Sequence, residues 1–343
     1  MDERVRAAVA GQEAYVVGGA VRDELLGRRV VDLDVACRDP EGAAGTFGRL
    51  AGGALFRLSE RHGAWRVAFS DGRTVDFTPL RDGIEDDLGS RDFTINAIAV
   101  PVEGGEPVDP FGGRADLEAG RVRAVSSGVF ADDPLRLLRA VRFEDELAFR
   151  MDERTEAAVR AQAEFAPAAA GERILDELLR LSSWGYARLA ELGLLDELGG
   201  TASSLDVPVD TPEFRLVWFL GEAVERLPVS NELRRYARTI RGAQCPADAS
   251  AREIHRFRRA TEPWALDAVH MACGGRVELL EAVERARSLD PEEPLLRGDE
   301  LGLPEGPEVG RILELIAEER AAGTITTREE ALKLAHRERA GPD

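Results

Sequence analysis

Lysine is all but missing from this chain: Lys333 is the single one among 45 basic residues, and the rest are arginine. A GC-rich coding sequence accounts for that bias as a whole, although arginine is also the side chain best shaped for paired contacts to phosphate oxygens. Aromatic residues are few, at 6%, while Ala, Leu, Arg and Glu abound, a mixture that favours helix. Cysteine is scarce and scattered. Cys37, Cys245 and Cys273 form no CxxC pair, so their spacing supports neither a zinc knuckle nor a disulfide framework. No apolar run reaches the length of a membrane span, and the first residues, MDERVRAAVAGQEAY, lack the apolar centre of a secretion signal. A cytoplasmic protein with no membrane partner is expected. Positive charge is outweighed: the formal charge of −19 argues against a blanket affinity for nucleic acid. Screening over about 10 Å still leaves room for a local basic surface.

What is present falls into two kinds of sequence. Up to about residue 125, β-rich runs occur at AYVVG (14–18), VVDLDVA (30–36), WRVAF (65–69), RTVDFT (73–78) and INAIAV (95–100). Helical stretches, AVRDELLG (20–27) and EGAAGTFGRLAG (41–52), lie between them. After Ser126 the apolar period becomes 3.6, over 134–149, 155–165, 172–181 and 186–199, and proline-containing breaks at 207–214 and 245–250 separate further helices. The expected fold class is an α/β head followed by an all-α remainder. No internal repeat is present.

Two carboxylates stand two apart in DLD. On a strand, Asp32 and Asp34 project to one face, where they repel each other unless a cation lies between them. Asp76, central in RTVDFT, is a third strand acid. If the two strands are neighbours, the three converge on an oxygen-rich site suited to Mg²⁺. Such a site can hold two ions about 4 Å apart for in-line phosphoryl transfer. A lone DxD is also an ordinary solvated pair. Gly18 and Gly19 narrow the choice, because they follow the apolar run YVV and open the stretch AVRDELL. Backbone without Cβ atoms can approach a phosphate at a helix start, within reach of Arg22. A bare GG is also a common strand-to-helix turn; GGAVRD, then DLD, then a further strand acid is a rarer series. His62, in a turn before a strand, needs only a structural or solvent role.

The stretches YVVGGAVRDELLGRRVVDLDVA, TVDFTPLR, RDFTINAIAV, VDPFGGRADLEAGRVRAV and FADDPLRLLRAVRFEDELAF cover about residues 14–150. Taken in order, they resemble the bacterial class II tRNA nucleotidyltransferases (CCA-adding enzymes) and the related bacterial poly(A) polymerases. GERILDEL (171–178) and GDELGLPEGPEVGRIL (298–313) extend the resemblance weakly. It implies an α/β nucleotidyltransferase head with a polymerase β-like palm, then an all-α neck, body and tail. The corresponding divisions are 1–125 for the head, 126–200 for the neck, 201–285 for the body and 286–343 for the tail. It also implies two Mg²⁺ ions, CTP or ATP as substrate, and as partner a tRNA lacking all or part of its CCA end.

Residue by residue, the resemblance implies that Asp32, Asp34 and Asp76 are the catalytic, metal-binding carboxylates. Gly18, Gly19 and Arg22 face the triphosphate. Arg91 and Asp92 contact the ribose, with Asn96 of the same stretch grouped among the nucleotide-binding residues. Asp133 and Arg136 match the pair that reads the base, and here the chemistry can be derived. Cytosine and adenine both offer an exocyclic amine beside a ring-nitrogen acceptor. A carboxylate accepts from the amine, and a guanidinium donates to the ring nitrogen. Uracil and guanine put a carbonyl where the amine would be, costing about 1–3 kcal/mol or more. Asp133 before Pro134 is equally a helix cap with proline at the first helical position. Arg139 and Arg142 continue the Arg136 face and suit the triphosphate or the tRNA end; ion pairs with Glu144 or Glu146 are the plain alternative.

Two departures from the family stand out. Ser90 occupies the place of the first of two arginines before Asp92. The segment between Arg81 and Arg91 is only DGIEDDLGS, where full CCA-adding relatives carry a longer flexible loop tied to the change from C to A addition. Enzymes that add only two cytidines resemble this short form. A CC-adding enzyme, dependent on a separate A-adding enzyme, is therefore expected. The alternatives are a full CCA-adding enzyme, a poly(A) polymerase, or an RNA-binding relative with a dead head, which would have lost a carboxylate. No GxGxxG follows the first strand, so a dinucleotide-binding fold is excluded.

Overall fold

The computed structural model describes residues 2–59, 63–80, 82–202, 204–304 and 306–340; His62 and Arg81 lie outside the described residues. The chain divides into two compact units, 1–202 and 203–343.

The first unit begins with α1 (Glu3–Ala8), β1 (Ala14–Val17), α2 (Gly19–Leu25), β2 (Asp32–Cys37) and α3 (Pro40–Ala51). It continues through β3 (Ala54–Ser59), β4 (Ala64–Ala68), β5 (Thr74–Pro79), α4 (Ile84–Gly89) and β6 (Ala99–Pro101). These strands make one six-stranded mixed sheet in the order β3-β4-β5-β2-β1-β6. Only β2 and β5 run parallel; the other neighbours are antiparallel. The parallel pair decides the site, because its register sets Asp34 directly beside Asp76 and Asp32 beside Thr74. Phe47 of α3 packs on Phe77 of β5 at 5.7 Å between ring centroids, closing one face of the sheet.

Two local expectations are corrected. The run INAIAV is not one strand: residues Thr94–Asn96 form a 3-10 turn before β6. The turn persists because Thr94 and Asn96 are buried with their side chains bonded to Asp116 and Asp92, so neither is free to line a pleated face. Strand β3 is an edge strand that period-2 reading misses, because neighbouring Leu55 and Phe56 are both exposed and no face alternates.

Helices α5 (Gly113–Glu118), α6 (Val129–Asp132), α7 (Leu135–Leu147), α8 (Glu153–Ala161), α9 (Gly171–Leu179), α10 (Ser183–Glu191) and α11 (Leu194–Glu197) complete this unit. The short strands β7 (Arg121–Val122) and β8 (Arg150–Met151) pair in parallel. Helix α7 is its centre, burying Leu137, Leu138, Val141 and Phe143. Asp152 caps α8 and Ser182 caps α10 through backbone N–H groups three residues on, as short polar side chains at helix starts should.

The second unit is helical among its described residues: α12 (Pro212–Leu220), α13 (Asn231–Gly242), α14 (Ala251–Thr261), α15 (Ala265–Cys273), α16 (Val277–Ser288), α17 (Pro307–Ala321) and α18 (Arg328–Ala340). Leu296, Leu301, Ile312, Ile316, Ile325, Ala331 and Leu334 form a core of their own there. Cys245 and Cys273 are joined as a disulfide with Cα atoms 5.3 Å apart, correcting the expectation from cysteine spacing. Spacing along the chain misses the pair because the packing of α13 against α15 brings their ends together.

Candidate active site

Val17 ends β1 beside Asp34, and the chain turns at Gly18 into α2. Gly18 has φ +72° and ψ −138°, a conformation open only to glycine at low cost. A Cβ there would lie 2.8 Å from Arg91 Nη1 and 3.2 Å from Asp34 Oδ2. This single position therefore joins the glycine turn, the DLD strand and the RD stretch in one place.

The three strand acids lie on neighbouring strands, which was the condition for their convergence, and two of them, Asp32 and Asp76, are already engaged. Asp32 is exposed, and its Oδ1 accepts a 2.8 Å hydrogen bond from the Thr74 hydroxyl. Asp76 is held by Arg66 of β4, its direct cross-strand partner: Nε donates to Oδ1 and Nη2 to Oδ2, both at 2.7 Å. Asp34 carries the electrostatic load. Burial pushes its carboxyl above the usual range, and the charges of Asp76 and Asp32 push the same way, with Arg91 and Arg66 opposing. Among the described residues, no three Asp, Glu, His or Cys side chains are gathered closely enough, as they stand, to hold an ion. The reason is local. Crowded carboxylates take the nearest donors, and here those are the Arg66 fork and the Thr74 hydroxyl. The donor set nonetheless suits a hard divalent cation, being all oxygen and carrying unbalanced negative charge at Asp34. The fit requires Asp76 to give up its arginine.

Arg91 is held by Asp87, one turn back in α4, with Nη2 donating at 2.9 Å. Helix α4 is the short segment DGIEDDLGS in folded form. Ile84 and Leu88 are buried in it and pack with Val17, Ala36, Leu80, Ala97 and Ala99.

Behind this lies a buried polar chain. Arg22 donates from Nη1 to Asn96 Oδ1 at 2.8 Å and pairs with Asp23. Asn96 Nδ2 donates to Asp92 Oδ1 at 3.0 Å, and the Phe93 N–H donates to the same oxygen at 2.8 Å. Arg139 donates to Asp92 Oδ2 from both Nε and Nη2, and reaches Glu177 of α9. Arg142 pairs with Glu177 and Glu146 and is buried. Three guanidinium groups, those of Arg22, Arg139 and Arg142, lie 5.1, 5.2 and 4.2 Å from the Phe143 ring centroid. Burial pushes the Asp92 carboxyl up, but Arg139, Asn96 and the Phe93 N–H together hold it below the usual range. Of the residues expected at the nucleotide, Arg22, Asp92, Asn96, Arg139 and Arg142 are thus brought together as this supporting lattice. The ion-pair alternative for Arg142 describes its present contacts.

Asp133 and Arg136 sit at the start of α7. Arg173 of α9 donates to both oxygens of Asp133, at 3.2 and 2.8 Å, and the Leu135 N–H donates to Oδ1 at 3.2 Å. Burial raises the Asp133 carboxyl, but Arg173 outweighs it and the group stays below the usual range. Arg136 donates to the carbonyls of Ser90 and Val129, at 2.8 and 3.3 Å. The pair is therefore half committed: a carboxylate has about four acceptor sites and a guanidinium five donors. Sequence reasoning missed Arg66, Arg173, Glu177 and Asp87. Arg66 was within reach, since folding WRVAF against RTVDFT as a hairpin sets it opposite Asp76.

Residues 14–123 match the family described as the poly A polymerase head domain. The A-adding tRNA nucleotidyltransferase of Deinococcus radiodurans is 34% identical over 94% of this chain and 95% of its own length. The CC-adding tRNA nucleotidyltransferase of Geobacter sulfurreducens is 31% identical over 94% and 91%. The chain belongs to the tRNA nucleotidyltransferase family. Among solved structures, a CCA-adding enzyme in complex with CTP has the same fold, with a TM-score of 0.79 at 23% identity over 97% of this chain and 94% of that one. The Thermotoga maritima CCA-adding enzyme complexed with tRNA gives 0.70 at 23% identity over 98% and 93%. As a tRNA nucleotidyltransferase the protein is an enzyme, and catalysis in its family depends on a divalent metal. No helix among the described residues is long and apolar enough to cross a membrane.

Proposed function

We propose that this tRNA nucleotidyltransferase adds cytidine to the 3′ end of tRNA from CTP, without a nucleic-acid template, and stops before adenosine. The observation that carries the cytidine-only reading is α4. The segment tied in relatives to the change from C to A addition is here a two-turn helix anchored by Ile84 and Leu88, not a free loop. A separate enzyme then completes the end with A. We place the reaction in the cytoplasm, where its tRNA substrate is matured.

Asp32, Asp34 and Asp76 would hold two Mg²⁺ ions, which when bound supply the charge that favours attack by the tRNA 3′-hydroxyl and departure of pyrophosphate. Gly18 and Gly19 let the triphosphate lie close to the backbone, and Arg91 is the nearest cation to that turn. Asp133 accepts from the exocyclic amine of the base and Arg136 donates to its ring nitrogen. Arg173 keeps Asp133 ionised and aimed, which a base reader requires. Arg22, Asp92, Asn96, Arg139 and Arg142 support this surface. Residues 1–125 serve as head, 126–200 as neck, 201–285 as body and 286–343 as tail. The tRNA lies along the helical part through phosphate contacts. The independent core from Leu296 to Ala335 supports the tail division.

A second reading, addition of A alone, is favoured by the 34% identity to the Deinococcus A-adding enzyme. Transcripts of one tRNA ending before the CCA, after one C and after two Cs, each offered CTP or ATP separately, distinguish the two. Two cytidines on the first, one on the second and nothing from ATP support the proposal. Adenosine added to the third overturns it.

A further inference from the structure

Arg66 lies within the acidic cluster, yet nothing in the base-reading or phosphate-binding scheme uses it. It stands on β4 directly opposite Asp76, so the backbone fixes it there. Its fork occupies both oxygens of Asp76 at 2.7 Å, the two positions from which that carboxylate would bind an ion. The Arg66 side chain is 33% exposed while that of Asp76 is 12%, so the guanidinium has the more open path to solvent. The charges of Asp32 and Asp34 also act on Arg66, after Asp76 itself.

We propose that Arg66 is a built-in counter-cation that competes with the divalent ion for Asp76, so that metal loading is favoured only when the nucleotide arrives with it. The inference rests on Asp32, Asp34 and Asp76 being the metal carboxylates. Three carboxylates on neighbouring strands need positive charge in the empty enzyme, and Arg66 supplies it. A divalent ion supplies more charge, but alone it must displace a bidentate pair. An incoming triphosphate adds oxygen ligands for the ion and offers the released guanidinium an anion to turn towards. Arg66 therefore raises the threshold for the metal alone and lowers it for the metal with nucleotide.

The test is Mn²⁺ binding to the full-length enzyme, followed by the loss of the free-ion electron paramagnetic resonance signal, with and without CTP and in the absence of tRNA. Wild type is expected to bind Mn²⁺ weakly alone and more tightly with CTP. Arg66→Gln is expected to bind Mn²⁺ alone more tightly, by up to about fivefold, the scale of one partly exposed ion pair. The gain from CTP should shrink to match. Arg66→Lys keeps the charge but loses the fork, and should fall between the two. If either folded variant binds Mn²⁺ alone no more tightly than wild type, the proposal is wrong. Asp34→Asn separates this from the underlying reading: unchanged Mn²⁺ binding in that variant would remove the metal assignment itself, and the proposal with it.

Discussion

Gly18 has little freedom to change. Its positive φ and the crowding by Arg91 and Asp34 act together. Gly18→Ala should cost about 1–3 kcal/mol in stability, seen in a urea melt, and lower single-turnover transfer at least about tenfold through the displaced Arg91. Unchanged transfer would show that Arg91 and Asp34 need not lie where they do. Asp92 makes a prediction about pH. Its carboxyl titrates below the usual range in the folded state, so it adds stability above about pH 4, and that stability is lost as pH falls through the lower folded value. Asp92→Asn should be less stable at neutral pH by about 3 kcal/mol, because Arg139 loses the closer of its two carboxylate partners, and should show a flatter acid limb in the stability profile. An acid limb identical to wild type would mean that Asp92 is not the group being titrated.

At the scale of elements, the β4–β5 hairpin and α4 do most to shape the site. Leu88 is wholly buried, and Leu88→Ala should lower stability by about 2–4 kcal/mol and loosen the Asp87–Arg91 pair at the end of the same helix. A raised KM for CTP with little change in kcat would be the kinetic sign. Much of this was legible beforehand. DLD and RTVDFT read as strands with their acids on one face, and the register of β2 with β5 sets Asp34 beside Asp76. Helix α7 was visible from its period. What pattern reading cannot supply is which charged groups meet across elements. Arg173 and Glu177 of α9 reach Asp133, just before α7, and Arg142 within it from about forty residues away, and no local periodicity encodes such pairs. The turn at Thr94–Asn96 failed as a strand for the same reason, since its side chains are committed to Asp116 and Asp92.

For the whole molecule, the charge of −19 must be reconciled with a tRNA substrate. Much of the arginine is already paired with carboxylates of the same chain, as in Arg258 with Asp290, Arg287 with Glu262 and Arg256 with Glu318. A limited set is left for phosphates. The affinity for tRNA should fall by about tenfold or more between about 50 and 200 mM salt in filter binding, and a flat response would contradict phosphate-led binding. The disulfide adds a separate expectation for residues 203–343. Reduction of Cys245–Cys273 should lower the stability of that unit by about 3 kcal/mol and leave residues 1–202 unchanged in hydrogen exchange. The central claim is template-free transfer built on Asp32, Asp34 and Asp76. Its most direct measurement is the transfer of α-phosphate-labelled CMP to a tRNA that lacks its CCA end, comparing wild type with Asp34→Asn at matched folding. The account predicts two labelled residues and released pyrophosphate for wild type, and none for the variant. Label incorporated equally by both proteins would contradict it.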